Sequence, residues 1–271
     1  MNTVRAYRRD LAQYAEYLDA RYPTQELVSE FVAELSATGL SPSTIARRIA
    51  AIRGFHRFAV AEGLDDSDPT QLLGSPRLGS RLPKALSVSE VTRLLDHPDV
   101  STGPGRRDQA IFEFLYGTGC RVGELVALNL EDVDLEQATA ILTGKGSKQR
   151  MVPLGAYARD STAAYLPDRL AWRKSGGDPG ALFLNQRGGR LTRQGVWTIL
   201  KHHGDAVELS GKLSPHVLRH SAATHMVEGG ADLRSVQEIL GHATIRTTQV
   251  YTKVSPQHIR EVYITSHPRG R

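Results

Sequence analysis

The stretch Ser214-Pro215-His216-Val217-Leu218-Arg219-His220 opens a predicted helix that carries two histidines and an arginine in its first turns. Serine is a favoured N-cap residue, and proline suits the first helical position, where its missing N–H has no intrahelical partner to lose. Side chains three residues apart lie on one face of a helix, so His216 and Arg219 are expected to face one ligand.

Further polar residues stand at turns and helix ends on both sides of this helix. They lie in four short segments: Gly117-Thr118-Gly119-Cys120-Arg121-Val122-Gly123-Glu124-Leu125, Gly144-Lys145-Gly146-Ser147, Leu240-Gly241-His242 and Val250-Tyr251-Thr252. Strands are predicted over 138–143 and 148–154, which places Lys145 at the tip of a hairpin.

Together these five segments resemble the motifs of the tyrosine recombinase (phage integrase) family. The resemblance covers nearly the whole chain and is greatest to the bacterial Xer-type (XerC and XerD) recombinases. Each motif alone is weak, because a lone arginine, lysine or tyrosine is ordinarily a surface or core residue. The order and spacing of all five carry the resemblance. It implies six catalytic residues: Arg121, Lys145, His216, Arg219, His242 and Tyr251.

The chemistry of these side chains suits an attack on a DNA phosphodiester. The forked guanidiniums of Arg121 and Arg219 match the charge that develops on non-bridging phosphate oxygens, and His242 would donate a further hydrogen bond. The phenol of Tyr251, whose ordinary pKa is near ~10, is the implied nucleophile and would lose its proton to His216. The family implies that Lys145 protonates the departing 5′ oxygen.

Simpler interpretations exist for several of these residues. Arg121 is also suited to an ion pair with Glu124, three residues on, although the family implies that an acidic residue there orients the site. His216 and His220 have a spacing that zinc can use, but the glutamate of a zinc-protease helix is missing between them. Cys120 is expected to be a small buried residue, not a nucleophile.

The composition excludes several classes of protein. The chain has 271 residues, a single cysteine and a net charge of +5. One cysteine allows no internal disulfide and no cysteine-rich zinc site, and no apolar run approaches the ~18 residues of a transmembrane helix. Residues 1–83 carry 10 basic and 10 acidic residues, whereas residues 84–271 carry 24 and 19. We therefore expect a cytoplasmic protein whose second part favours a phosphate-rich ligand.

The chain is predicted to form two domains. Residues 3–20, 25–37 and 42–62 read as helices, and a segment rich in proline, glycine and aspartate over 65–84 reads as a linker. We expect a helical domain with its linker at 1–83 and a catalytic domain at 84–271, mainly α with a small β-sheet. The resemblance implies a SAM-like first domain without the family's first helix, and a C-shaped clamp around DNA.

Candidate DNA contacts lie in both domains. In the helix 42–62, arginines stand on the arc opposite the apolar face, which is typical of either a solvated charged surface or a helix laid against a DNA backbone. The candidate phosphate contacts are Arg47, Arg48, Arg53, Lys148, Arg150 and Arg193.

The resemblance implies that the protein cuts and rejoins double-stranded DNA through a 3′-phosphotyrosyl intermediate, without metal, ATP or cofactor. The implied role is resolution of chromosome dimers at a dif-like site. The implied partners are a second recombinase in a heterotetramer (or further copies of itself in a homotetramer) and an FtsK-type translocase. Two alternatives remain at this point: a recombinase of a mobile element or plasmid, and a non-catalytic DNA-binding regulator that reads DNA with the helix 42–62.

Overall fold

Serine, threonine and aspartate side chains begin most of the helices, as their capping chemistry dictates. The computed structural model describes residues 2–74, 85–173, 180–241 and 255–270. The chain divides into two units, Met1–Leu82 and Pro83–Arg271.

The first unit contains three helices among its described residues: α1 (Asn2–Leu18), α2 (Gln25–Ala37) and α3 (Pro42–Ala61). Thr24 and Ser41 cap α2 and α3 through their side-chain oxygens. The helices pack on a small apolar core of Tyr14, Val28, Phe31, Leu35 and Ile52. The three helices predicted from the sequence are confirmed, and their ends shift by two residues at most.

The second unit is also mainly helical. Its described helices are α4 (Val88–Leu95), α5 (Gly103–Thr118), α6 (Val122–Ala127), α7 (Ala156–Trp172), α8 (Arg193–Ala206), α9 (Pro215–Glu228), α10 (Leu233–Leu240) and α11 (Pro256–Ser266). Almost every residue of α5 from Ala110 to Thr118 is buried, so α5 forms the centre of the unit. Ser214 caps α9 as the sequence predicts, by accepting a hydrogen bond from the main-chain N–H of Val217.

A small antiparallel sheet interrupts the helices. It consists of β1 (Val133–Asp134), β2 (Thr139–Thr143) and β3 (Gln149–Pro153), in that spatial order. A tight helical turn over Lys145–Ser147 joins β2 to β3, and Gly146 adopts φ 73° there. The predicted hairpin is thus confirmed. Around Gly188-Gly189, a single antiparallel bridge pairs Leu184 with Arg190.

No helix in the described ranges has the length and apolar character that crossing a bilayer requires.

Candidate active site

Arg219 lies on α9, buried among three other elements. Only 7% of it is exposed. Its guanidinium donates to the main-chain oxygens of Gly119 and Leu240, the second over 2.7 Å. Burial, followed by the nearby charges of Arg121 and Arg150, lowers the pKa of Arg219 to about 10. The guanidinium therefore stays protonated at neutral pH although it lies beside two other cations.

Arg121 occupies the turn between α5 and α6 and reaches the same place from the opposite side. Gly119 makes this turn possible because it adopts φ +57°, and a Cβ there would lie 2.5 Å from the side chain of Leu240. The guanidinium of Arg121 donates to Glu124 Oε1 over 2.9 Å and to the main-chain oxygen of Gly241 over 3.1 Å. Its side chain is 48% exposed, so it can contact a ligand that approaches from solvent.

Glu124 is the acidic centre of the cluster. The carboxylate is 4% exposed and accepts four hydrogen bonds, two from Arg121 and two from Arg150. Burial alone would raise its pKa, but the hydrogen bonds and charge of Arg150 and the hydrogen bonds of Arg121 lower the pKa to about 2. Glu124 is therefore ionised, and it forms the ion pair with Arg121 that the sequence offers as the simpler interpretation of this arginine.

The three guanidiniums also share the carboxyl end of α10. Arg150 Nε donates to the main-chain oxygen of Ile239 over 3.0 Å, while Arg219 and Arg121 bind the next two oxygens, of Leu240 and Gly241. These carbonyls have no partner within the helix, and the negative end of the helix dipole favours cations. Three positive charges face one carboxylate, and this excess suits an anionic ligand such as a phosphodiester.

The remaining predicted catalytic residues lie around this cluster in the chain. His216 is exposed on the first turn of α9, one turn before Arg219. The hairpin turn carries Lys145, whose side chain lies outside the described part of the protein. His242 and Tyr251 also lie outside the described residues, with His242 next to Gly241 in sequence. Of the six residues, the structure shows Arg121 and Arg219 brought together.

The candidate DNA contacts fall into two groups. Lys148 and Arg193 are exposed; Lys148 immediately precedes β3, and Arg193 is the first residue of α8. The other four bind protein groups: Arg47 and Arg48 lie against Asp10, Arg53 donates to the main-chain oxygen of Leu73, and Arg150 binds Glu124.

The sequence analysis missed the structural role of Arg150. It lies opposite Leu142 in the register of β2 and β3, and Leu142 is fully buried. Because directly paired residues of an antiparallel sheet point to the same face, this register was the signal that Arg150 faces inward.

Two alternative chemistries can be compared with the structure. Cys120 is buried, and burial raises the pKa of its thiol to about 12. A thiol with so high a pKa is a poor nucleophile. Over the described ranges, histidine, cysteine, aspartate and glutamate form no group of three that could hold a metal ion.

Comparison with known proteins extends these observations to the whole chain. The model of the phage integrase family matches residues 84–258, and that of the phage integrase N-terminal SAM-like domain matches residues 1–63. Tyrosine recombinase XerD of Bifidobacterium longum (strain NCC 2705) is 48% identical over 283 residues, which cover 99% of this chain and 92% of the relative. Tyrosine recombinase XerD of Mycobacterium tuberculosis (strain ATCC 25618 / H37Rv) is 44% identical over 293 residues, covering 100% and 93%.

Solved structures agree with the family models. The crystal structure of XerA recombinase is 28% identical, with a TM-score of 0.55, over 99% of this chain and 93% of XerA. The XerH site-specific recombinase bound to its palindromic difH substrate, in a post-cleavage complex, has a TM-score of 0.75 over 89% of this chain and 73% of XerH. At 24% identity, the comparison with XerH shows a shared fold alone. The family models and the two XerD relatives decide the assignment: this chain belongs to the phage integrase family and is a tyrosine recombinase.

Proposed function

We propose that the protein is an Xer-type site-specific recombinase that acts at dif-like sites of double-stranded DNA. The observation that carries this proposal is the cluster of Arg121, Arg150 and Arg219 around a single carboxylate, which leaves an excess of positive charge at an exposed guanidinium. Full-length identity of 42–48% to relatives named XerD supports the Xer role over that of a mobile-element recombinase.

In the proposed cleavage step, the phenol oxygen of Tyr251 forms a bond to the scissile phosphorus, and its proton passes to His216. The bond from phosphorus to the 5′ oxygen breaks, and Lys145 supplies the proton that the departing oxygen needs. The products are a 3′-phosphotyrosyl bond and a free 5′-hydroxyl. Arg121, Arg219 and His242 stabilise the charge on the non-bridging oxygens, a contribution of roughly 3–4 kcal/mol for one well-placed donor.

Rejoining reverses the same step with a 5′-hydroxyl from another strand. The phosphotyrosyl bond keeps the phosphodiester's bond energy, so the reaction needs no ATP. The proposed partners are a second related recombinase (or further copies of this chain) in a tetramer on DNA, and an FtsK-type translocase that activates exchange. We place the reaction in the cytoplasm, on the chromosome.

A nicked suicide duplex tests the proposal. Its sequence would be selected from a randomised duplex pool by binding to the full-length protein, and cleavage would release a short fragment so that rejoining fails. The wild-type protein is expected to trap a covalent protein–DNA adduct, and Tyr251→Phe is expected to bind the duplex without forming one. An adduct that persists in Tyr251→Phe, or its absence in the wild-type protein, would contradict the proposed function.

A further inference from the structure

Arg150 connects three parts of the candidate active site that are far apart in sequence. It lies on β3, five residues after Lys145, and its side chain is 16% exposed. Its guanidinium donates from Nη1 to Glu124 Oε1 over 2.9 Å and from Nη2 to Glu124 Oε2 over 2.8 Å. This two-pronged geometry fixes the plane of the guanidinium as well as its position.

Through Glu124, Arg150 also fixes Arg121. The same two carboxylate oxygens accept from the main-chain N–H of Arg121 and from its Nη1. Without Arg150, the carboxylate would keep only the partner whose guanidinium is half exposed. Arg121 would keep its bond to the main-chain oxygen of Gly241, but the carboxylate that orients its guanidinium would have lost two of its four hydrogen bonds.

Arg150 packs on the exit of α10 as well. Its third donor, Nε, binds the main-chain oxygen of Ile239 over 3.0 Å. Gly241 lies directly against the guanidinium, so closely that an added Cβ would stand 2.9 Å from Cζ, Nε and Nη1 of Arg150. The contact therefore fixes the position of Gly241, the residue that precedes His242 in sequence.

The base of the Lys145 turn lies next to the carboxylate of Glu124. Gly144 donates its N–H to the main-chain oxygen of Lys148 over 2.8 Å, and a Cβ on Gly144 would lie 3.4 Å from Glu124 Oε1. The hairpin turn thus begins beside the carboxylate that Arg150 holds in place.

We propose that Arg150 is a positioning residue for cleavage. It sets Arg121, the Lys145 turn and the segment entering His242 in one fixed arrangement through Glu124 and the end of α10, and it does not itself bind the phosphate. The inference rests on the proposed function, because it assigns Arg150 a task within that reaction.

The test measures single-turnover adduct formation at saturating protein, so that DNA affinity does not limit the rate. Three versions of the selected suicide duplex are compared: the natural phosphate, a methylphosphonate that lacks one charged oxygen, and a 5′-bridging phosphorothiolate whose thiolate leaves without a proton. Arg150→Gln is expected to slow cleavage of the natural duplex by roughly 30-fold or more. On each analogue the fold-loss of cleavage rate is expected to be at least roughly threefold smaller than on the natural duplex. The reason is that each analogue removes the need for one of the groups that Arg150 positions.

Two further variants separate positioning from simple loss of stability. Arg169→Gln, the matched control, removes another buried arginine that binds a main-chain oxygen, that of Ala181, over 2.7 Å. Its effect is expected to be equal on all three duplexes. Arg150→Lys keeps the positive charge but lacks the forked guanidinium. It is expected to cleave the natural duplex at least roughly 10-fold more slowly than the wild-type protein. All rates are taken below the unfolding temperature of each variant.

The outcomes distinguish this inference from the proposed function. A wild-type adduct that Tyr251→Phe abolishes supports the recombinase, whatever Arg150 does. The positioning role is overturned if Arg150→Gln cleaves within roughly threefold of wild type, if its loss is equal on all three duplexes, or if Arg150→Lys restores the full rate. A missing wild-type adduct contradicts the proposed function itself.

Discussion

Arg121 and Arg150 donate to the same oxygen of Glu124, each over 2.9 Å, although 29 positions separate them in the numbering of the chain. One buried carboxylate therefore binds both a half-exposed arginine and a nearly buried one.

Glu124→Gln is expected to lower the free energy of unfolding. The folded-state pKa of Glu124 is lowered from 4.5 to about 2. The ionised carboxylate therefore contributes about 3 kcal/mol to the free energy of unfolding at pH 7. This stabilisation is fully present above pH 4.5 and is lost as the pH falls toward 2. Urea unfolding at pH 7 and pH 3.5 checks this, with the exposed Glu228→Gln as the control. A difference between wild type and Glu124→Gln that is no smaller at pH 3.5 would contradict it.

Gly241→Ala is expected to impair cleavage beyond what backbone strain explains. Gly241 has φ +68°, and a Cβ added to it would lie 2.9 Å from the guanidinium of Arg150. Gly211 has a similar φ of +71°, but a Cβ added there would have no atom within 4 Å. Both alanine variants carry a similar strain of roughly 1 kcal/mol, so Gly211→Ala is the matched control. Adduct formation by Gly241→Ala should be slower, while that of Gly211→Ala should match wild type. Equal rates for the two variants would show that the contact with Arg150 does not matter.

His267 is expected to make the folded protein less stable in acid. Burial lowers its pKa from 6.5 to about 3, so the unfolded chain takes up a proton that the folded chain refuses. Stability from this group is intact above pH 6.5 and falls by about 1.4 kcal/mol per pH unit as the pH decreases toward 3. Glu113, whose pKa is raised to about 7 mainly by burial, acts in the opposite direction between pH 4.5 and 7.

The variant His267→Phe isolates the histidine from the carboxyl group. It keeps a ring against Tyr263, which stacks on His267 with centroids 5.0 Å apart. Between pH 7.5 and 5, urea unfolding of His267→Phe should show a smaller loss of stability than wild type, and the exposed His258→Phe should behave as wild type. An identical pH dependence in all three proteins would refute the prediction.

Cleavage is expected to proceed in EDTA and without nucleotide, because the proposed reaction uses only side chains of the protein. The measurement is the rate of adduct formation on the suicide duplex with and without chelator. Circular dichroism in the same buffer checks that the protein remains folded. Loss of the adduct in EDTA by a folded protein would show that the mechanism is wrong.

Local structure was predictable because its causes are local. Ser87 and Glu90, three residues apart, form a capping box at the start of α4, with hydrogen bonds of 2.8 Å and 3.2 Å in the two directions. The antiparallel hairpin around Lys145 and the cap at Ser214 follow from equally short patterns. Such contacts close within a few residues, so the sequence pattern contains all the information they need.

The arrangement around Glu124 could be predicted only in part. The ion pair of Arg121 and Glu124 spans three residues on one helix turn and was readable from the spacing. The bond from Arg121 to Gly241 joins residues 120 apart, and that from Arg150 to Glu124 joins residues 26 apart. Such distant pairs depend on how α6, α10 and β3 pack. For this reason the sequence pattern, a basic stretch, predicts a DNA contact for Arg150 and gives no sign of its bonds to Glu124.

The three carbonyl oxygens at the end of α10 have a consequence for how a DNA phosphate is bound. Arginine side chains lose considerable rotational freedom when they are immobilised. Here that entropy is lost when the chain folds, because Arg219 and Arg121, the two arginines proposed to contact the phosphate, are already tied to the main chain of Leu240 and Gly241. Arg150, which positions them, is tied to Ile239 in the same way. The binding step is spared this loss, so more of the attraction between guanidinium and phosphate remains to lower the barrier to strand cleavage.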